Sequence, residues 1–180
     1  ISGALARRLD LAVAAPRYRL APEDRHPAAL VDALAAWRAF AAAADGPTFL
    51  VGESAGGGLA LALAQAAKAE GAPLPAAMAL LSPWVDLTQG LPSANDGFDP
   101  TLARRNLFDY ARLYGGPGAD LARPALSPLF GDLSGLPPMM ITTGSRDILR
   151  EQAHALATAH GQHGVDRAHA HVERIDDGRA

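Results

Sequence analysis

A serine flanked by small residues separates two apolar segments in FLVGESAGGGLALALAQAA, residues 49–67. The residues before Ser54 fit a short buried strand, and those after it fit a helix. Gly52-Glu53-Ser54-Ala55-Gly56 therefore forms the pattern G-x-S-x-G at a strand-to-helix turn. In a turn of this kind the glycines let strand and helix approach closely, and the serine hydroxyl is exposed. If the serine attacks a carbonyl group, the N–H of Ala55 points at the oxyanion that develops. The alternative is a tight glycine turn whose serine caps the helix.

The composition indicates a soluble globular domain. The 180 residues are 49% hydrophobic and 19% charged, with a net charge of −3 and no basic cluster, so a nucleic-acid partner is not expected. The chain has no cysteine, which excludes disulfides and thiolate metal sites. No apolar run approaches about 18 residues, so we expect no membrane span. No signal peptide opens the chain, and we expect a cytoplasmic protein.

Strand-like and helix-like segments alternate on both sides of Ser54. We predict strands at 9–18, 48–52, 76–84, 137–145 and 167–175, and helices at 27–44, 55–71, 102–114 and 148–161. This alternation predicts an α/β fold with a mostly parallel sheet and helices on both faces. Residues 1–180 are expected to form a single domain, in which the Gly-, Pro- and Asp-rich segment 85–124 forms a small lid.

A nucleophilic serine needs a base and a carboxylate that orients the base. Asp147 directly follows the predicted strand 137–145 and is the candidate acid; the alternative is that it only caps the next helix. The base should follow the last strand, but His169 and His171 lie within that strand. They share one strand face, as metal ligands can, but no third ligand is evident, so we expect solvent-facing histidines and no metal.

Five motifs occur in an order that resembles one enzyme family. They are YRLAPEDRHPAALVDA (18–33), GESAG (52–56), LLSPWVDLT (80–88), SPLFGDLSGLPP (127–138) and GSRDIL (144–149). Together they resemble the hormone-sensitive-lipase family of α/β-hydrolases, the bacterial family IV esterases, from Leu5 to the C-terminus. The resemblance implies an α/β-hydrolase core and hydrolysis of short to medium acyl esters without a cofactor. It implies that Ser54 is the nucleophile, Asp147 the triad acid and Ala55 an oxyanion donor.

The resemblance also suggests structural roles for other positions. The loop from Tyr18 to Glu23 is expected to be pinned by bonds between arginine and carboxylates. Glu53, where family members often carry Asp, is expected to order nearby loops, and Asp86 to form a turn or a helix cap. Five aromatic residues belong either to the core or to an acyl pocket: Trp84, Phe98, Phe108, Tyr110 and Tyr114.

Two departures from the family concern the catalytic machinery. The family's His-Gly-Gly-Gly oxyanion motif would precede Ile1, and its catalytic histidine would follow VERIDDGRA, residues 172–180. We therefore expect a chain shortened at both ends, with a sheet incomplete at the N-terminal side. Loss of a triad histidine costs about 10⁶-fold in kcat, so this chain should be nearly inactive alone. The alternatives are a binding protein of the same fold, as in plant small-molecule receptors, or an inactive remnant. The natural ester and the oligomeric state stay open.

Overall fold

Four parallel strands form the centre of the protein, in the computed structural model that describes residues 2–162 and the backbone of 169–173. The strands are β1 (Phe49–Glu53), β2 (Ala77–Leu81), β3 (Met139–Gly144) and β4 (His169–Glu173), and they neighbour one another in that order. The helices are α1 (Ser2–Leu9), α2 (Ala28–Ala43), α3 (Ala55–Ala69), α4 (Arg104–Gly115) and α5 (Arg150–Gly161), with a short 3-10 helix at Pro128–Phe130. The predicted α/β class and the four strands after residue 47 are confirmed.

One face of the sheet carries the main hydrophobic core. Met78 and Leu80 of β2 pair in register with Met139 and Ile141 of β3, so their side chains project to the same side. There they pack against alanines and leucines of both α3 and α5, and Leu61 of α3 is fully buried. Helix α2 adds a second layer because Leu34 and Trp37 pack against α3.

The opposite face of the sheet has no buried residue in β1, β2 or β3. Phe49 and Val51 of β1 and Met140 of β3 lie on that face and are 51%, 44% and 50% exposed. We predicted helices on both faces, and within the described residues the helices that pack on the sheet cover only one. Parallel sheets are normally covered on both faces, so this apolar surface is unusual.

The strand predicted at residues 9–18 is not present. Helix α1 ends at Leu9, and residues 11–20 form no helix or strand; Leu11 and Val13 are 51% and 41% exposed. The apolar run made this segment resemble a buried strand. A strand also needs a neighbour to pair with its backbone, and none of the described strands pairs with this segment.

The segment between β2 and β3 contains the predicted helix as α4. Leu107 and Ala111 of α4 are buried together with Leu87, Leu126 and Ile148 in a second hydrophobic cluster. This cluster joins the segment to the turn that follows β3. Within the described part of the chain, no helix is both long and apolar enough to cross a membrane.

Candidate active site

Ser54 lies at the turn between β1 and α3 in a backbone conformation that few residues adopt. Its φ is 52° and its ψ is −122°. A non-glycine residue in this region costs on the order of 1–3 kcal/mol, and such strain is typical of functional sites. The Ser54 side chain makes no capping hydrogen bond to α3. The alternative in which this serine serves as a helix cap is therefore wrong, and its hydroxyl is available for chemistry.

Three hydrogen bonds to one carbonyl hold this turn in place. The carbonyl oxygen of Ser54 accepts bonds from the N–H groups of Gly57 at 2.9 Å, Gly58 at 3.2 Å and Trp84 at 2.9 Å. The N–H of Ser54 donates to the carbonyl oxygen of Leu81 at 2.9 Å. The turn is thus tied both to the first turn of α3 and to the chain leaving β2. Because Ala55 and Gly56 open the helix, their N–H groups have no intrahelical acceptor, as an oxyanion site requires.

Close backbone packing explains most of the glycines in this turn. A Cβ on Gly52 would lie 2.3 Å from the carbonyl oxygen of Gly56, and one on Gly58 would lie 2.1 Å from that of Trp84. A Cβ on Gly57 would meet the ring of Pro83 at 2.8 Å. A Cβ on Gly56 would meet no heavy atom within 4 Å among the described residues, apart from its chain neighbours and the backbone of its own helix. Close approach therefore requires Gly52, as predicted, but not Gly56.

Asp147 lies in the turn after β3, and both of its carboxylate oxygens accept hydrogen bonds. Oδ1 accepts from the N–H of Leu149 at 2.8 Å, and Oδ2 accepts from the hydroxyl of Thr143 at 3.2 Å. The bond to Leu149 stabilises the turn before α5, but the N-cap position of this helix is Leu149, so Asp147 does not cap it. The side chain is partly exposed, and it can also accept a bond from an imidazole.

Ser54 and Asp147 occupy the same edge of the sheet. Each follows the carboxyl end of a parallel strand, and only β2 lies between those strands. Two strand spacings put the ends of β1 and β3 about 10 Å apart, a gap that an imidazole between the two side chains can bridge. The side chains of His169 and His171, the two histidines considered as base or metal ligands, lie outside the described residues, as do His163 and the segment after Glu173.

The 18–23 loop is pinned by an arginine, as predicted. Arg19 donates to Asp32 of α2 through its backbone N–H at 3.0 Å, its Nε at 2.9 Å and its Nη2 at 2.8 Å. These hydrogen bonds from Arg19 lower the pKa of Asp32 to about 2, and the same pairing raises the pKa of Arg19. Glu53 is exposed and makes no bond of this kind within the described residues, so its loop-ordering role stays a prediction.

An apolar cavity of about 290 Å³ is lined in part by Ala55, the residue that follows Ser54. Its walls come from the 18–21 loop, α3, the chain after β2 and α4. Three of the five aromatic residues considered for an acyl pocket line it: Trp84, Tyr110 and Tyr114. Burial raises the pKa of Tyr114, with a smaller contribution from the nearby Tyr18. Phe98 and Phe108 do not line this cavity and are 65% and 43% exposed.

Sequence reasoning missed a glutamine that fixes the chain leaving β2. Gln152 of α5 is buried, and its Oε1 accepts bonds from the N–H groups of Val85 at 2.9 Å and Asp86 at 2.8 Å. Its Nε2 donates to the carbonyl oxygen of Asp86 at 3.0 Å. The Asp86 carboxylate accepts from the N–H of Thr88 at 2.8 Å, so the predicted turn role of Asp86 is confirmed. Nothing in the local sequence pattern marks Gln152.

Comparison with known proteins agrees with this geometry. A family model described as the alpha/beta hydrolase fold matches residues 1–175. An acetyl-hydrolase of Streptomyces hygroscopicus is 42% identical over 168 residues, which is 88% of this chain and 54% of the relative. An esterase of Acinetobacter venetianus is 33% identical over 153 residues, which is 83% of this chain and 50% of the relative. The chain thus spans about half the length of these curated relatives.

Solved structures give the same assignment. An esterase/lipase from an uncultured bacterium matches 96% of this chain and 58% of its own, with a TM-score of 0.86 and 34% identity. An esterase of the bacterial hormone-sensitive lipase family matches 87% and 53%, with a TM-score of 0.77 and 39% identity. A serine on a strained turn between strand and helix, at the carboxyl edge of a parallel sheet, is typical of α/β-hydrolases. This chain belongs to the α/β-hydrolase family, within its hormone-sensitive-lipase-like branch of bacterial esterases.

Proposed function

We propose that this chain carries the nucleophile and the acid of a carboxylic-ester hydrolase. The observation that carries the proposal is the state of Ser54 between β1 and α3. Its backbone has a positive φ, and its hydroxyl makes no capping hydrogen bond to the helix. The acetyl-hydrolase and esterase names of the relatives support the same reaction class.

The proposed reaction proceeds through an acyl-enzyme. The Ser54 oxygen attacks the ester carbonyl while an imidazole takes its proton, and the N–H of Ala55 donates to the oxyanion. The imidazolium then protonates the departing alcohol. Water then attacks the acyl group while the imidazole takes a proton from that water. The imidazolium returns a proton to the Ser54 oxygen as the carboxylic acid is released. Asp147 accepts a bond from the imidazole and stabilises its positive charge.

The substrate we propose is an ester of a short to medium acyl chain. The cavity beside Ala55 is apolar and lies within reach of the acyl group of a Ser54 ester. Its walls of Trp84, Tyr110 and Tyr114 suit a hydrocarbon chain rather than a charged one.

The proposal is tested by hydrolysis of p-nitrophenyl butyrate with and without added imidazole. Ser54→Ala is compared with Ser82→Ala, because Ser82 also has a positive φ, 44°, at the end of the neighbouring strand. We expect hydrolysis that Ser54→Ala abolishes and Ser82→Ala retains. Turnover above about 1 s⁻¹ without imidazole means that the chain supplies its own base. A Ser54-dependent rate that appears only with imidazole means that the base is not supplied.

One result would overturn the proposal for this chain. If circular dichroism shows both variants folded and the two hydrolyse the ester at the same rate with and without imidazole, Ser54 is not a nucleophile here. Saturable binding of butyrate esters under those conditions would instead favour the receptor-like alternative.

A further inference from the structure

The segment 95–99, between β2 and α4, lies against the turn that carries Asp147. Asn95 donates from its Nδ2 to the carbonyl oxygens of Ser145 and Asp147, each at 3.0 Å. These contacts join residues 50 and 52 positions apart in the sequence. A single amide therefore holds two peptide groups of this turn, the one between Ser145 and Arg146 and the one between Asp147 and Ile148.

Asp99 holds the same turn from a second position. Its Oδ2 accepts from the N–H of Ile148 at 2.9 Å. Its Oδ1 accepts locally, from the N–H and hydroxyl of Thr101 and from the N–H of Leu102. Partial burial acts to raise the pKa of Asp99, but the bonds from Ile148, Thr101 and Leu102 outweigh it and leave the pKa below its usual value. Asp99 is thus a carboxylate that bridges two loops.

We propose that Asn95 and Asp99 are positioning residues for Asp147, an inference that rests on the proposed function. They bind the peptide group that directly follows the Asp147 Cα, through the Asp147 carbonyl and the Ile148 N–H, and also the Ser145 carbonyl two residues before it. Together these contacts restrict the direction of the Asp147 Cα–Cβ bond. Within the described residues, the carboxylate accepts from one backbone donor, Leu149, and over a longer distance from the hydroxyl of Thr143. An error of about 1 Å in the position of a catalytic group can cost about 100-fold in rate. The contacts of Asn95 and Asp99 with the Asp147 turn prevent such an error.

Asp99→Asn isolates the contact between the two loops. An asparagine has one acceptor oxygen, and the three local donors of Thr101 and Leu102 compete for it. Its NH₂ group then faces the N–H of Ile148, so the bond to the Asp147 turn is lost while the local turn survives. Asp96→Asn is the matched control, because Asp96 lies in the same segment with an exposed side chain. Asn95→Ala removes the other contact independently.

Ester hydrolysis gives the first measurement. With Ser54-dependent turnover of p-nitrophenyl butyrate, we expect Asp99→Asn and Asn95→Ala to lower kcat by about 10- to 100-fold with little change in KM. Asp96→Asn should leave both unchanged. An unchanged kcat in the folded Asp99 and Asn95 variants overturns the inference. So does a fall in kcat that only follows the fraction of folded protein.

Nuclear magnetic resonance gives a measurement that does not need turnover. The carboxyl ¹³C signal of Asp147 is followed against pH, together with amide exchange at Ile148. If wild-type protein shows no Ser54-dependent hydrolysis either with or without imidazole, the proposed function fails, and this measurement alone decides the inference. A changed Asp147 titration with faster Ile148 exchange in Asp99→Asn, but not in Asp96→Asn, supports it. An Asp147 titration that is the same in all variants overturns it.

Discussion

The two glycines of the G-x-S-x-G turn should respond oppositely to replacement by alanine. In Gly52→Ala, the new methyl group lies 2.3 Å from the carbonyl oxygen of Gly56 and 2.8 Å from the Cα of Gly57. Both contacts are to backbone, so no flexible side chain can move aside. In Gly56→Ala, the new methyl group meets no heavy atom within 4 Å among the described residues, apart from its chain neighbours and the backbone of its own helix. The same substitution therefore tests two different environments in one motif.

The size of each effect follows from these contacts. Overpacking costs about 1–3 kcal/mol and occasionally more. The backbone at Gly52 is held by the bonds around Ser54, so we expect about 3 kcal/mol. At about 2–4 °C per kcal/mol for a domain of this size, Gly52→Ala should lower the Tm by about 6–12 °C. Gly56→Ala should raise it by about 1–4 °C, because an alanine in a helix restricts the unfolded chain by about 0.4–1 kcal/mol.

Thermal unfolding followed by far-ultraviolet circular dichroism measures both variants against wild type. Labelling of Ser54 by a phosphonate ester, run in parallel, reports whether the turn is still formed. The reasoning is refuted if Gly52→Ala melts within about 2 °C of wild type. It is equally refuted if Gly56→Ala loses as much stability as Gly52→Ala.

Three further perturbations have definite expected results. Asp32→Asn removes the ion pair with Arg19; since the pair is exposed, the Tm should change little, while amide exchange at Arg19 becomes faster. Gln152→Leu leaves two buried N–H groups after β2 without an acceptor, at a cost of about 1–3 kcal/mol each. Urea unfolding should therefore show an unfolding free energy lower by about 3 kcal/mol or more, whereas the control Gln162→Leu, at an exposed position, should show no such loss. The lowered pKa of Asp99 means that its contribution to stability is present above its unfolded pKa of about 3.9 and is lost as pH falls through the lower folded value. The difference in unfolding free energy between wild type and Asp99→Asn should accordingly vanish in acid.

Much of the fold follows from local patterns in the sequence. Helix α2 was predicted at 27–44 and observed at Ala28–Ala43, because its apolar residues recur at helical spacing and bury Leu34 and Trp37. The same reasoning gave a wrong prediction for segment 9–18. Its residues are apolar enough for a strand, but whether a strand forms depends on a neighbour, and local composition carries no information about that neighbour.

In the candidate site, too, residues within one short motif could be predicted, and residues that act through distant contacts could not. Ser54 and Ala55 were found because their geometry is set by adjacent residues in one short motif. Asn95, Asp99 and Gln152 act across 49 to 67 positions of sequence, and only the folded chain brings them to their partners. The different requirements at Gly52 and Gly56 also depend on the packing of α3 against β1, which the motif alone does not specify.

Covalent labelling of Ser54 tests the central claim most directly. The folded chain is incubated with a p-nitrophenyl alkylphosphonate in buffer containing imidazole, and the adduct is located by peptide mass spectrometry. The account predicts a single adduct on the peptide that contains Ser54, retained in Ser82→Ala and absent in Ser54→Ala. A folded chain that stays unlabelled, or one labelled at another residue in both variants, would contradict it.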